Sequence, residues 1–496
     1  MRDLLQHPLW RPEDLGEPIP ESPHAVSACL PTWRDNVGYE EQDPRVHSRL
    51  TTGYPRFVYN AFCQRLFEEC RRRFAERDET CLAVPSAAAA ERCARWLRER
   101  TGASIRVQAW GAHDVHAIMF PAACAAEAKA WWQHTGDGVS SRLAAACLEE
   151  RPARDAAEAK QTLRARVAEA TGVGPDDVFL YPCGMSAVYA VHRALLALFP
   201  GRKSVQFGFP YVDSLKIQEK FGPGAHFFPR GGCDELDELD ELESLLQREA
   251  ICGLLTEFPS NPLLASPDLE RLAELARRHG FPLAVDDTIA GWVNVDVLQA
   301  ADVITTSLTK SFSGAGDVTG GAVVLNPRGP FSGELMRQMR AGWEDAVWCE
   351  DAIVLEDNSR DFRTRVAQMS GGADMLAEWL SRQPQVEALY YPRFQTAREF
   401  AAFRRPGGGY GGLLSIVLKD AARVTPAFFD ALRISKGPNL GTNYSLACPY
   451  TILAHYGELE FAERCGVSRW LVRVSVGLEN PDDLISRFGE ALAAAG

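Results

Sequence analysis

Between residues 157 and 325 the chain repeats one rhythm, a short apolar run followed by a longer amphipathic stretch. "VFLYP" leads into "SAVYAVHRALLALF", "SVQFGF" into "SLKIQEKF" and "GLLTEF" into "LERLAELARRHG"; "PLAVD", "ADVITTS" and "GAVVL" complete the series. Runs this short and this apolar are buried on both faces, and the amphipathic stretches between them supply the cover. The pattern therefore predicts an α/β fold, a mainly parallel sheet with helices on both sides. In such sheets ligands collect at the carboxyl ends of the strands, so the polar residues that close the apolar runs carry the chemical information.

With 496 residues the chain exceeds what one hydrophobic core usually serves. We divide it into an N-terminal arm and small extension (1–150), a large domain (151–328) and a smaller α+β domain (329–496). The arm, to about residue 60, is rich in proline and tryptophan without periodicity and reads as extended chain that lies on something. A long helical stretch is expected from about 346 to 382. "DELDELDELESLL" reads as a solvated helix face, and "RRPGGGYGG" at 404–412 as a flexible turn.

A formal charge of -13 argues against a nucleic-acid or anionic-membrane partner. Thirteen cysteines without a C-x-x-C pair predict neither a zinc site nor a disulfide framework, but reduced thiols in a cytoplasmic compartment. No apolar leader and no window of about 20 apolar residues is present, so no membrane span is expected.

Four strand ends stand out. Lys310 follows "VITTS"; a buried strand end disfavours its ammonium form and frees the amine for imine chemistry, whereas a lone lysine usually snorkels to water. Asp286 ends "PLAVD" and suits a protonated pyridine nitrogen, a helix cap or a metal ion equally well. Gly184 and Met185, in "YPCGMSAVYAV", turn a strand into a helix whose free N–H groups bind phosphate, with Ser307 and Thr309 as further donors. Asn261, before Pro262, is a turn residue or an amide donor to a ring oxygen. An amine, an acid, an anion cradle and an amide together match pyridoxal 5'-phosphate (PLP).

The motifs G-M-S-A at 184, E-x-P-S-N-P-L at 257, V-D-D-T at 285, S-x-T-K at 307, G-D-V-x-G-G at 316 and R-V-S-V-G-L-E at 473 occur in this order. Over about residues 150–496 the chain resembles the cystathionine γ-synthase family of Cys/Met-metabolism PLP enzymes, fold type I. "PHAVSACLPTWRDNVGYEEQDPRV", "GYPRF" and "WWQHTGDGVSSR" extend the resemblance to the longer, fungal-type members. It implies that Lys310 bonds the cofactor aldehyde and acts as the catalytic base, Asp286 holds the ring nitrogen, Asn261 the ring hydroxyl, and Gly184, Met185, Ser307 and Thr309 the phosphate. Tyr211 would stack on the ring and assist catalysis, and Arg473 would grip the substrate carboxylate.

Family members borrow a Y-x-R pair from a neighbouring subunit, so the resemblance implies a homo-oligomer, a dimer or a dimer of dimers, with shared sites. Tyr54 with Arg56, or Arg142 with a serine in place of the tyrosine, would fill that role. Asn439 and Tyr444 stand where relatives carry a serine and a substrate-contacting glutamate, and are read as substrate-binding. Asp287 replaces an asparagine and Cys183 a serine.

The implied reaction is γ-substitution on an O-acyl-L-homoserine, with cysteine as nucleophile and cystathionine as product, as in transsulfuration and methionine biosynthesis. The changes at 439 and 444 motivate an alternative nucleophile, sulfide or a carbon acid such as a β-keto acid. A lyase reaction, and a catalytically silent PLP-fold binding protein, are the remaining alternatives.

Overall fold

The computed structural model describes residues 2–55, 57–111, 113–231 and 237–496. Fifteen strands among the described residues form three sheets. Strands β1 (Glu79–Val84), β2 (Arg106–Ala109) and β3 (His116–Pro121) make a small antiparallel sheet ordered β1-β3-β2. Helices Ala61–Phe74, Ala87–Thr101 and Ala125–Thr135 accompany it, so the extension is a module with its own apolar clusters rather than an appendage.

The large domain holds β4 (Val178–Tyr181), β5 (Ser204–Phe207), β6 (Ala225–Phe228), β7 (Leu254–Glu257), β8 (Leu283–Asp286), β9 (Val303–Ser307) and β10 (Gly321–Leu325). Their order is β4-β10-β9-β8-β7-β5-β6, parallel from β9 to β6, with β10 antiparallel to both its neighbours. Val205, Phe207, Leu254, Leu283, Val285 and Ile304 lie in one core. Each fully buried aliphatic side chain contributes about 1.5–3 kcal/mol.

The covering helices follow from sequence. In Leu269–His279, Leu269, Leu272, Leu275 and Ala276 form the buried stripe, and Arg271 and Arg278 on the outer face pair with Glu243 and Glu274. Asp268 caps the start by accepting from the Arg271 N–H, and Gly280, at φ 71°, ends the helix.

The C-terminal domain carries β11 (Val386–Tyr390), β12 (Leu413–Leu418), β13 (Ser435–Lys436), β14 (Leu446–Pro449) and β15 (Val472–Ser475), ordered β11-β12-β15-β14-β13. The single helix expected over 346–382 is two, Cys349–Asn358 and Phe362–Leu380. Asn358, Ser359 and Asp361 at the break favour caps over helix interior, and the Arg365 guanidinium takes up the freed Asn358 carbonyl at 2.8 Å.

The arm lies on its own chain and covers the edge strand β13. Leu9 O accepts from the Lys436 N–H at 3.0 Å, and Lys436 O accepts from the Leu30 N–H at 3.1 Å. Leu9 N–H donates to Ser435 Oγ, and Trp33 N–H to Asp430 Oδ1 at 2.7 Å. An uncovered edge would present these groups to other chains. The arm then runs through helix Trp33–Glu40 and across the ends of β7, β8 and β9 into the module.

Candidate active site

The carboxyl ends of β7, β8 and β9 open into a cavity of about 190 Å³. Lys310, three residues beyond β9, reaches it on a turn in which its N–H donates to Ser307 O. The side chain is buried, and Nζ donates to Asn439 Oδ1 at 2.7 Å and to the Tyr54 hydroxyl at 2.9 Å, 4.5 Å from the centre of the Tyr54 ring. Two oxygens and a π-face thus replace the water that burial removed from the amine.

Asp286 and Glu257 are register partners at the ends of β8 and β7. Asp286 Oδ1 accepts from the Thr288 N–H; the Glu257 carboxylate accepts from Tyr211 N–H at 2.6 Å and Asn261 N–H at 3.0 Å. Burial, and then the neighbouring Asp286, push the Glu257 carboxyl up to about 8; burial also raises Asp286. Among the described residues neither has a cationic partner.

Cys183 precedes helix Gly184–Leu198, and the turn packs so tightly that a Cβ on Gly184 would stand 2.8 Å from the Ser307 Cβ. Gly184, Met185, Ser307 and Thr309 share one wall of the cavity, at the positive end of that helix. Thr309 Oγ1 is also tied to the Gly320 backbone. Arg142 lines the same cavity from the start of the helix Ser141–Leu148. It donates to Asp317 O at 2.7 Å and is held by Asp351 at 3.2 Å and Asp317 at 3.4 Å.

Arg473, on β15, is buried at the opposite wall. It donates to Pro438 O at 2.6 Å and Asn261 Oδ1 at 3.2 Å and sits over the Tyr450 ring. Among the described residues no carboxylate pairs with it.

The structure brings Lys310, Asp286, Tyr211, Asn261, Gly184, Met185, Ser307, Thr309, Tyr54, Arg142 and Arg473 to one cavity, and sets Asn439 against the amine. Tyr444 is not brought there. It packs with Leu4, Leu9, Ile19 and Leu446 beneath the arm, because that apolar contact outweighs exposure of the ring. Within the chain, the Tyr54 hydroxyl meets the Lys310 amine at 2.9 Å. Arg56 lies outside the described residues.

Our reading of the sequence passed over Glu257, though it opens a quoted motif at a strand end. It also missed Tyr450 and the carboxylates Asp317 and Asp351, which no local pattern ties to Arg142. Among the described residues no cluster of His, Cys, Asp and Glu is arranged to hold a metal ion, and no helix is long and apolar enough to cross a membrane.

The fit of PLP can be tested on the groups the fold leaves in need of a partner. Burial raises the carboxyls of Asp286 and Glu257, and a protonated pyridine nitrogen beside them would favour their charged form. The glycine turn and its hydroxyl neighbours suit a phosphate, and the buried amide nitrogen of Asn439 has no acceptor among the described residues. The mainly parallel sheet and this set of requirements define a PLP-dependent enzyme of fold type I.

The family described as Cys/Met metabolism PLP-dependent enzyme matches residues 153–493, and the fungal trans-sulfuration enzyme N-terminal domain matches residues 62–140. The chain belongs to the Cys/Met metabolism PLP-dependent enzyme family. It is 36% identical to the cystathionine gamma-synthase of Neurospora crassa, covering 98% of this chain and 99% of that one. It is also 36% identical to the cystathionine gamma-synthase-like enzyme iboG1 of Amanita muscaria, over 97% of each. A solved cystathionine gamma synthase from Xanthomonas oryzae pv. oryzae, in complex with cystathionine, superposes with a TM-score of 0.59 at 26% identity. That match covers 68% of this chain and 86% of the solved one.

Proposed function

We propose that the enzyme carries out γ-substitution on an O-acyl-L-homoserine, with L-cysteine as nucleophile and cystathionine as product. The observation that carries the reading is Arg473, a buried guanidinium facing the cavity with no carboxylate partner among the described residues. Its planar fork suits the α-carboxylate of an amino acid, bound in two hydrogen bonds. The near full-length similarity to a cystathionine gamma-synthase supports the choice of electrophile.

PLP, when bound, supplies an electron sink for charge developed on the substrate carbons. Asp286 would hold the proton of its ring nitrogen, Gly184, Met185, Ser307 and Thr309 its phosphate, and Tyr211 its ring face. The chain's own residues do the rest. Lys310 Nζ would take the proton from the substrate Cα and hand it on before taking one from Cβ, and the γ-acyloxy group would depart as a carboxylate. After the nucleophile has given up its proton and added at Cγ, the amine would return protons to Cβ and Cα. Arg473 fixes the carboxylate and with it the face of Cα presented to the amine. Asn439 Oδ1 anchors Nζ within reach.

A second reading changes the nucleophile to sulfide or a carbon acid such as a β-keto acid. It is favoured by the burial of Tyr444 away from the cavity and by the apolar side the arm presents there, with Val26, Ala28, Leu30 and Phe57 joined by Leu453. Offering O-acetyl- or O-succinyl-homoserine with cysteine, sulfide and a β-keto acid in one mixture, and weighing the products by mass spectrometry, separates the two. Cystathionine as main product supports the first. A carbon-linked product that excludes cysteine establishes the second, and no product from either ester overturns both.

A further inference from the structure

We infer that Glu257 is a positioning residue that fixes the cofactor ring and the substrate carboxylate in one frame, and so sets which bond at Cα faces Lys310. The inference rests on the cofactor reading of the cavity and on Arg473 as the carboxylate grip, not on the choice of nucleophile. Glu257 ends β7, is buried, and commits each of its oxygens to a different turn. Oε1 accepts from the Tyr211 N–H at 2.6 Å, in the turn after β5, and Oε2 from the Asn261 N–H at 3.0 Å, in the turn after β7. The pairing of β5 with β7 ends at Phe207 and Thr256. Beyond that pair the carboxylate joins the two turns.

The tie continues into the C-terminal domain. Asn261 Oδ1 accepts from Arg473 Nη1 at 3.2 Å, and the carbonyl of Pro262, the next residue, accepts from Ser415 Oγ at 2.8 Å. Ser415 on β12 and Arg473 on β15 are register partners, so both grip the turn after β7 from one point of their sheet. Hydrogen bonds thus run from Tyr211, through Glu257 and Asn261, to Arg473. At one end is the residue read as stacking on the ring, and at the other the one read as holding the carboxylate. A bond at Cα passes its electrons to the ring only when it stands across the ring plane, and those two contacts set that angle. A carboxylate suits the central place because both donors are N–H groups and both of its oxygens accept. A glutamine would turn its NH2 toward one of them.

The test follows the Cα proton alone. L-2-Aminobutyrate has the carbon skeleton of homoserine and no group to lose at Cγ, so exchange of its Cα hydrogen in deuterated water, followed by NMR, needs neither ester nor nucleophile. In Glu257→Gln holoenzyme that exchange should slow by about tenfold or more, while the dissociation constant of the amino acid changes by less than about threefold, since its carboxylate still meets Arg473. The visible circular dichroism of the bound cofactor, which reports how the ring is seated, should lose intensity in the same variant before any substrate is added. Ser415→Ala, which frees the same turn from outside the cavity, should show the same pattern more weakly, and carries the test if Glu257→Gln does not load cofactor. Exchange and dichroism equal to wild type, or affinity falling as far as exchange, would overturn the inference. Wild type that exchanges the Cα hydrogen yet converts no homoserine ester would count against the proposed function alone.

Discussion

On one side of Lys310 stand the ends of β7, β8 and β9, a wall drawn from a single sheet between Glu257 and Ser307. On the other stands Tyr54, 256 residues earlier in the chain, carried in by an arm with little regular structure. The first wall owes its geometry to strand register, which puts Glu257 beside Asp286 as soon as β7 pairs with β8. The second owes its geometry to docking, through contacts such as Lys436 with Leu9 and Arg92 with Glu344. A site can therefore be chemically equipped by local order and still depend on long-range packing for its closure.

The largest effect should come where both walls meet. Lys310→Ala is expected to lower turnover by roughly 10²–10⁴-fold and to abolish the visible band of the lysine-bound cofactor. Normal turnover by this variant would remove the premise of the comparison. On β15, across the cavity from the sheet of β7, β8 and β9, Arg473→Lys keeps the charge but loses the fork. It should raise KM for the homoserine ester about tenfold with a smaller change in kcat, measured by steady-state kinetics.

The docked wall is probed by Arg92→Met, which strands Asp137 and Glu344 without their shared cation. The expected cost is about 3 kcal/mol, read from the denaturant midpoint, with faster loss of cofactor on dialysis. A variant as stable as wild type would mean that the module is held by its apolar contacts alone.

The smallest effect sharpens the sheet wall. Asp287 is buried, takes a hydrogen bond from Thr306, and has its carboxyl pushed up to about 8 by burial. The folded chain keeps a proton there that the unfolded chain has already lost, so this group costs stability increasingly as pH rises from about 4 to about 8. Asp287→Asn is neutral throughout and keeps an acceptor for Thr306. Its Tm should match wild type near pH 4 and exceed it by a few degrees at pH 8; parallel Tm profiles would show that Asp287 is ionised when folded.

Much of the sheet wall was readable beforehand, because each of its residues closes an apolar run and strand ends in a parallel sheet converge. Lys310, Asp286, Asn261 and the Gly184 turn were found in that way. Glu257 was missed for want of register: its meaning comes from Asp286 beside it, and pairing is not written in either strand alone. Tyr444 shows the opposite error, a motif position read as substrate-facing that the arm buries instead.

What the sequence determined by itself is the alternation of buried strands and covering helices, and with it the reactive groups at the strand ends, since both follow from local hydrophobic period and turn chemistry. Only the tertiary structure decided that Tyr54 meets Lys310, that Arg142 is held by Asp317 and Asp351, and that Tyr444 leaves the site. Those outcomes depend on which surfaces, hundreds of residues apart, exclude water from one another, and no local pattern records that.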